Sequence, residues 1–251
     1  MTFSSFTEEL THFARNEAKP DAPELTPVDA ATLLILKEDE QGTIRVLMGK
    51  RHMRHRFMPG KFVFPGGRVD DSDSQTCIHK HYAQELRQRL AKHAPDRSAA
   101  QLNALAVAAI RETYEEAGIF IGEKTAGENL ELNQPELKAF ADRNIAISLE
   151  PISFIARAIT PPGQPRCFDT RFFAVWESSI CDQLAQGTGP SGELEELQWP
   201  SLQQALELDL PPITKVILHE LIERLKTDPS LEPQTPVPFY HWQDEFIREL
   251  I

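Results

Sequence analysis

Cysteine is scarce: Cys77, Cys167 and Cys181 are the only 3 in 251 residues, odd in number and widely spaced. That pattern excludes a disulfide framework and a CxxC-type zinc site, and the three read as reduced thiols. Long apolar runs are missing as well. None approaches the ~20 residues needed to span a bilayer, so no membrane span is expected. Positive charge is the third shortage, with 26 Lys and Arg against 38 Asp and Glu and a formal net charge of -12. Such a balance repels polyanions and disfavours sequence-independent nucleic-acid binding; an anionic small substrate would need cations gathered at its site. The opening segment MTFSSFTEELTHFARNEAKPD lacks the basic and then apolar stretches of a secretory leader, and the closing Leu250-Ile251 is no peroxisomal address. A cytoplasmic location is the expectation.

The hydrophobic share of 41% and charged share of 25% are ordinary for a globular chain, and the length suits one α/β domain with extensions. Residues 1–27 read as an N-terminal extension: a short amphipathic stretch at 6–13, then a proline-punctuated lead-in that packs as an arm. The apolar runs AATLLILKED (30–39) and TIRVLMGKR (43–51), split by Glu40-Gln41-Gly42, predict a hairpin. Phe62-Val63-Phe64 predicts a short strand entering a tight turn at Pro65-Gly66-Gly67, where glycine would supply positive φ. A polar helical pattern covers 74–92, Pro95 breaks it, and Ser98 is placed to cap a second helix ending at Gly118. Beyond a charged, weakly patterned stretch (122–149) come strong strands at 152–160 and 168–176. LEELQWP, SLQQALEL and ITKVILHELIERL then predict a strand, a short helix and a longer one. The tail from 228 has four prolines before FYHWQDEFIREL and is expected to cross the surface and dock its aromatic end.

The segment Arg111-Glu112-Thr113-Tyr114-Glu115-Glu116-Ala117-Gly118 concentrates chemistry on the second helix. With ~100° per residue and Ala106 at zero, Ala109, Ile110, Thr113 and Ala117 share its sector of roughly 100° and form the predicted buried face. Glu112, Glu115 and Glu116 fall at about 240°, 180° and 280°, an acidic stripe beside it. Like charges at these spacings cost a helix about 0.2–0.5 kcal/mol per pair, which a divalent cation would reverse. A solvated acidic face has the same pattern, so the stripe alone does not decide between the two.

The surrounding residues bear on that choice. From Arg111 through Ile119 the chain resembles the second half of the Nudix box, written G-x5-E-x7-R-E-U-x-E-E-x-G-U with U apolar, Thr113 being the weak position. The first half departs from it. If Gly67 is the box glycine, Arg111 stands 44 positions later instead of 14, so about 30 residues are inserted, and the position of the first glutamate holds Asp73. The resemblance implies that this first carboxylate braces the arginine, a task open to Asp73, Asp70 or Asp71. A similar insertion marks a Nudix subgroup related to coenzyme A diphosphatases, whose members also carry a counterpart of Arg-Cys-Phe-Asp-Thr-Arg-Phe-Phe (166–173).

What the resemblance implies is an α/β/α sandwich with a mixed sheet over 28–227, a helical insertion at about 72–103, and a C-terminal tail, 228–251. Glu112, Glu115 and Glu116 would ligate Mg2+ or Mn2+ together with the carbonyl of Gly66 or Gly67, since hard cations favour oxygen shells. Glu112 or Glu116 would act as general base, with Glu193 as an outside candidate, and Arg111 would orient the acids. LMGKRHMRHRFMPGKFVFPGG (47–67) partly matches the motif LLT-x-R-S-x3-R-x3-G-x3-FPGG of coenzyme A-cleaving members, with Arg51, Arg56 and Gly60 in register. Lys50, Arg51, Arg54, Arg56 and Lys61 there either serve a phosphorylated substrate or form a solvated basic loop. Arg166 and Arg171 are further candidates for phosphate; strand alternation sends Arg171 to the face opposite Phe172. The histidines at 79, 81 and 93 are assigned no chemistry. The expected function is metal-dependent hydrolysis of a nucleoside-diphosphate-linked small molecule, coenzyme A or acyl-coenzyme A first. ADP-ribose, NADH or dinucleoside polyphosphates are alternatives, as is a catalytically silent nucleotide sensor. A homodimer is possible by analogy with the family.

Overall fold

The computed structural model describes residues 5–19, 25–54, 58–92, 94–127, 130–132 and 134–251. Its central strand, β1 (Val28–Glu38), is apolar on both sides because both sides are covered. Ala31, Leu33 and Ile35 enter one hydrophobic cluster, and Leu34 and Leu36 enter the other. The chain turns at Gly42 (φ 77°) into β2 (Ile44–Val46), which pairs antiparallel with the end of β1, as the hairpin reading expects. The second run does not continue straight: after Leu47 it resumes as β3 (Met48–Arg51), which joins β4 (Phe62–Val63) in a separate sheet.

The Pro-Gly-Gly segment departs from expectation. It is not a positive-φ turn but the start of a strand, β5 (Gly66–Arg68), antiparallel to the beginning of β1. The insertion is less helical than predicted. A short 3-10 turn, Asp71–Gln75, and an irregular stretch precede α-helix formation. The side chain of Asp73 accepts the Asp70 N–H at 2.8 Å and competes with a regular helix start.

The remaining elements can now be placed. Helix α1 (Phe6–Glu17) lies in the N-terminal extension, α2 (Gln84–Lys92) in the insertion, and α3 (Ala99–Ala117) begins at Ser98, whose hydroxyl and Gln101 form a capping box. Helix α3 ends at Gly118 in the left-handed region (φ 69°). After it come β6 (Ile119–Ile121), β7 (Glu123–Lys124), α4 (Lys138–Ala141), β8 (Ile145–Ala146), β9 (Ser153–Ile159), β10 (Phe168–Trp176) and β11 (Ile180–Gln183). The chain closes with β12 (Leu194–Gln198), α5 (Leu202–Leu206), α6 (Pro212–Thr227), β13 (Pro238–Gln243) and β14 (Glu245–Leu250).

The main sheet runs β14-β13-β9-β10-β1-β2, with β5 beside β1 on the same edge as β2; β1 and β10 are parallel over Val28↔Phe168 to Leu36↔Trp176. Helices α2 and α3 cover one face and α1, α5 and α6 the other, the expected α/β/α sandwich with a mixed sheet. The tail is built differently from its prediction. Instead of crossing the surface, β13 and β14 form a hairpin that lengthens the main sheet, with Phe239 and Tyr240 paired to Arg157 and Ala158 of β9. Helix α1 packs on β14 and α6, so α1 and the C-terminal hairpin meet on one side of the sheet. Among the described residues no helix is long and apolar enough to cross a membrane.

Candidate functional site

Ala106, Ala109, Ile110, Thr113 and Ala117 of α3 are fully buried, as the helical wheel predicts. Burial also reaches beyond that face. Arg111 is 3% exposed because β5 and the 3-10 turn close over it. Its Nε and Nη2 donate to the two Asp73 carboxylate oxygens at 2.9 and 3.0 Å, and Nη2 also donates to the Arg68 carbonyl at 2.9 Å. Asp73, itself 2% exposed, is therefore the brace among the three candidates; Asp70 stands off at 3.6 Å. From that anchorage Nη1 reaches Glu112 at 2.8 Å and Glu115 at 3.2 Å. A buried guanidinium so held is a rigid fork that fixes both carboxylates.

Glu116 is oriented from the other side. The N–H of Gly66 donates to its Oε2 at 3.0 Å. The ladder explains why this N–H is available: Leu33 N–H bonds the Pro65 carbonyl and Val69 N–H the Asp29 carbonyl, so alternation makes Gly67 a hydrogen-bonded partner of β1 and turns both polar groups of Gly66 outward. The two glycines are needed for close approach. A Cβ on Gly67 would lie 2.3 Å from Glu112 Oε1, and one on Gly66 would lie 2.5 Å from the Ala31 carbonyl oxygen. The helix end is held by a loop that the sequence did not single out. Gly189 and Ser191 N–H groups cap the carbonyls of Glu116 and Glu115 at 3.1 and 2.9 Å, and Gly189 has no room for a side chain against Glu115.

Burial dominates the electrostatics of the acids. It pushes the Glu112 carboxyl up to about 7 even though Arg111 pulls it down, and Glu115 and Glu193 add to the rise. It pushes Glu116 up to about 8; the Gly66 N–H opposes that shift, Glu112 and Glu193 reinforce it, and Arg51 opposes it. Glu115 is raised by burial against Arg111. Burial works against the charge of Arg111 too, but Asp73 and Glu112 more than offset it and hold the guanidinium above its ordinary range.

Among the described residues no three His, Cys, Asp or Glu side chains are disposed, as they stand, to hold a metal ion. The partners give the reason: Arg111 occupies oxygens of Glu112 and Glu115, and Gly66 occupies one of Glu116. The donor chemistry still fits a hard divalent cation. Three carboxylates and an outward-facing carbonyl make an all-oxygen set, and two of the carboxyls are held toward the neutral form by burial that a cation would counter.

The arginines predicted to bind substrate separate into different groups. Arg51 is half-buried, 3.8 Å from Glu193, and close enough to lower the Glu116 pKa. Arg56 lies outside the described residues, as does His93. Arg166 is exposed in the β9–β10 loop. Arg171 is corrected. It does point away from Phe172, but it is 2% exposed and committed to Asp29 at 2.8 Å and Asp169 at 3.0 Å, so its role is to tie β1 to β10. The basic loop is also less cationic than its sequence suggests, since Lys50 pairs with Glu196, His52 faces Glu195 and Lys61 pairs with Asp209. A cavity of about 220 Å3 opens beside Arg51 and Gly66 on the α1–α6 side of the sheet, lined largely by apolar groups.

No family model matches the chain, and no curated protein does. Solved structures do. A NUDIX hydrolase from Alicyclobacillus acidocaldarius aligns at 28% identity over 80% of this chain and 93% of its own, with a TM-score of 0.58. The MutT protein of Methanosarcina mazei aligns at 17% identity over 82% and 100%, TM-score 0.46, and a C. elegans Ap4A hydrolase at 18% over 79% and 98%, TM-score 0.41. The first of these supports the Nudix family for this chain, and the fold described above is the Nudix fold.

Proposed function

We propose that this chain is a divalent-metal-dependent Nudix pyrophosphohydrolase acting on a nucleoside-diphosphate-linked small molecule. The observation that carries the reading is the Asp73–Arg111 fork that fixes Glu112 and Glu115 beside Glu116 on one helix end. An acidic stripe that was only solvated would have no buried arginine beneath it and no backbone N–H aimed at it.

Glu112, Glu115, Glu116 and the outward carbonyl of Gly66 would hold Mg2+ or Mn2+. When bound, such ions neutralise diphosphate charge and lower the pKa of water. The chain's own groups then divide the remaining work. Arg111, permanently charged and hydrogen-bonded on every side, cannot exchange protons and positions Glu112 and Glu115. Glu112 or Glu116, side by side at the helix end and held by Arg111 and by the Gly66 N–H, is the candidate to take the proton from attacking water. Glu193, 44% exposed and paired to Arg51, contributes negative charge and is the weaker base candidate. Arg51 lines the same cavity as Gly66, which supports a contact with a phosphate held there, and Arg166 is exposed in the β9–β10 loop. Bracing of Arg111 by Asp73, which stands at the position of the box's first glutamate, favours hydrolysis over the silent-sensor alternative.

Coenzyme A or acyl-coenzyme A is the leading substrate class, supported by the spacing of Arg51, Gly60 and Phe64-Pro65-Gly66-Gly67 and by the apolar cavity next to Arg51. The test is a hydrolysis panel of coenzyme A, ADP-ribose, NADH and a dinucleoside polyphosphate with Mg2+ or Mn2+, comparing wild type with Glu116→Gln. Cleavage of coenzyme A, abolished by Glu116→Gln, is expected. Turnover of ADP-ribose alone sinks the coenzyme A assignment, and nucleotide binding without turnover of anything sinks hydrolysis.

A further inference from the structure

The turn that carries Asp73 is held from two sides. Among the described residues, two side chains from outside it hydrogen-bond to residues 71–76: Arg111 takes the Asp73 carboxylate, and Gln134 reaches in from 62 positions beyond Ser72. The Gln134 Nε2 donates to the Ser72 carbonyl at 3.2 Å and to the Thr76 hydroxyl at 3.3 Å. A carbonyl only accepts, so the amide nitrogen, not its oxygen, faces Ser72. The Thr76 N–H donates in turn to the Asp73 carbonyl at 3.3 Å. One amide thus clips both flanks of the residue that braces Arg111.

The clip is anchored to the helix that it serves. Gln134 precedes a 3-10 turn, Pro135–Leu137, and Leu132 and Leu137 on either side of it are buried in the hydrophobic cluster that also takes the apolar face of α3. Just beyond, Phe140 of α4 meets Tyr114 of α3 edge to face, with ring centroids 5.6 Å apart. Glu115, raised chiefly by burial, is raised further by Glu136 of this same segment, so the segment borders the glutamate site.

Asp73 stands where the Nudix box has its first glutamate and is one methylene shorter. To reach both Nε and Nη2 of Arg111, its backbone must sit closer to the guanidinium than a glutamate's would. Hydrogen bonds within the turn fix its shape but not its distance from α3, whereas Gln134 ties it to a segment packed on α3. The net stability that Gln134 adds is small, because its Oε1 is buried without a hydrogen-bond partner and offsets the bonds made by Nε2. We infer that Gln134 is a positioning residue for the metal-binding carboxylates: it holds the turn where the short Asp73 can brace Arg111, and through Arg111 it sets Glu112 and Glu115. This role rests on the hydrolase reading, and the two can fail separately.

Mn2+ alone is titrated into the full chain by electron paramagnetic resonance, and hydrolysis of coenzyme A and ADP-ribose is measured on the same variants. Gln134→Met keeps the side chain's length without its donors. It is expected to stay within about 4 °C of the wild-type Tm, to bind Mn2+ about tenfold more weakly, and to lose about tenfold in kcat with KM changed less than about twofold. Gln134→Glu sets a carboxylate against the Ser72 carbonyl and should lose more. Gln204→Met, at the capping box of α5, controls for general loosening and should keep wild-type Mn2+ affinity. Unchanged Mn2+ affinity and kcat in Gln134→Met overturns the positioning role, and so does an equal loss in Gln204→Met. If Gln134→Met alone weakens Mn2+ binding while no variant or wild type cleaves a diphosphate, the role stands and the hydrolase reading fails. A wild type that takes up no Mn2+ overturns both. Gln134→Met carries the test alone should Gln134→Glu not fold.

Discussion

Arg111 and Asp73, 38 positions apart, meet through two parallel hydrogen bonds of 2.9 and 3.0 Å with both side chains no more than 3% exposed. Neutralising Asp73 would leave the Nε and Nη2 side of the buried guanidinium without a charged partner, with only Glu112 and Glu115 on Nη1. Asp73→Asn is expected to cost ~3 kcal/mol of stability and to lower kcat by freeing Glu112 and Glu115, whereas Asp73→Glu keeps the charge and costs only about 1–2 kcal/mol of repacking. Urea denaturation of the two variants decides this; equal losses would mean that shape rather than charge matters at this position.

The adjacent glycines are predicted to fail in different ways. At Gly67 the obstruction is the far end of the Glu112 side chain, which can move; at Gly66 it is the backbone of Ala31 and Thr32, which cannot. Gly67→Ala is therefore expected to fold with a loss of about 1 kcal/mol but to reduce turnover at least about tenfold by displacing Glu112. Gly66→Ala is expected to lose several times more stability, on the order of 3 kcal/mol. Thermal melts and assays of both variants provide the check, and a fully active Gly67→Ala would remove Glu112 from the machinery.

The glycines also show where sequence reading runs out. Their importance was legible from the Nudix-like spacing, but the reason was not, because it depends on how closely α3 packs on β5. The buried face of α3 was legible from 3.6-residue periodicity. The burial of Arg111 and Glu116 was not, since the cover comes from residues about 40–50 positions away. Alternation sent Arg171 to the correct face, yet its partner Asp29 lies 142 positions away and periodicity gives no hint of it. In the tail, prolines upstream and half-buried Phe239 and Trp242 blur the two-residue period of β13, so the sequence suggests a surface crossing where the fold has a hairpin. Long-range pairing, rather than local propensity, accounts for each of these misses.

Glu112 and Glu116 give the metal-free protein a definite pH dependence. Burial raises their folded pKa values to about 7 and about 8 from an ordinary 4.5, so the unfolded chain ionises first. Their contribution to stability is complete below pH 4.5 and is lost as pH rises through 7 to 8. In EDTA, Tm should fall between pH 5 and 9, and Glu116→Gln, which keeps the neutral shape, should flatten the fall. Added Mg2+ should raise Tm more at pH 9 than at pH 6, because only ionised carboxylates bind it. An EDTA melting curve that rises across this range would contradict the buried-carboxylate account.

Arg51 and Arg171 test the division between substrate contact and scaffold. Arg51 has an exposed ion-pair partner in Glu193 at 3.8 Å, a contact worth at most about 1 kcal/mol, so losing that contact in Arg51→Ala should lower Tm by no more than about 2–4 °C. If it meets phosphate, its loss should raise KM about tenfold or more. It also holds the Glu116 pKa down, so in EDTA the pH at which Glu116 ionises should move up in this variant. Arg171→Ala should do the reverse. It removes a shared partner from Asp29 and Asp169, which keep Arg97 and Arg157 respectively, and should cost about 1.5–3 kcal/mol, while the folded fraction keeps its KM. Steady-state kinetics normalised to folded protein separates the two, and a KM increase for Arg171→Ala matching that of Arg51→Ala would return Arg171 to the substrate site.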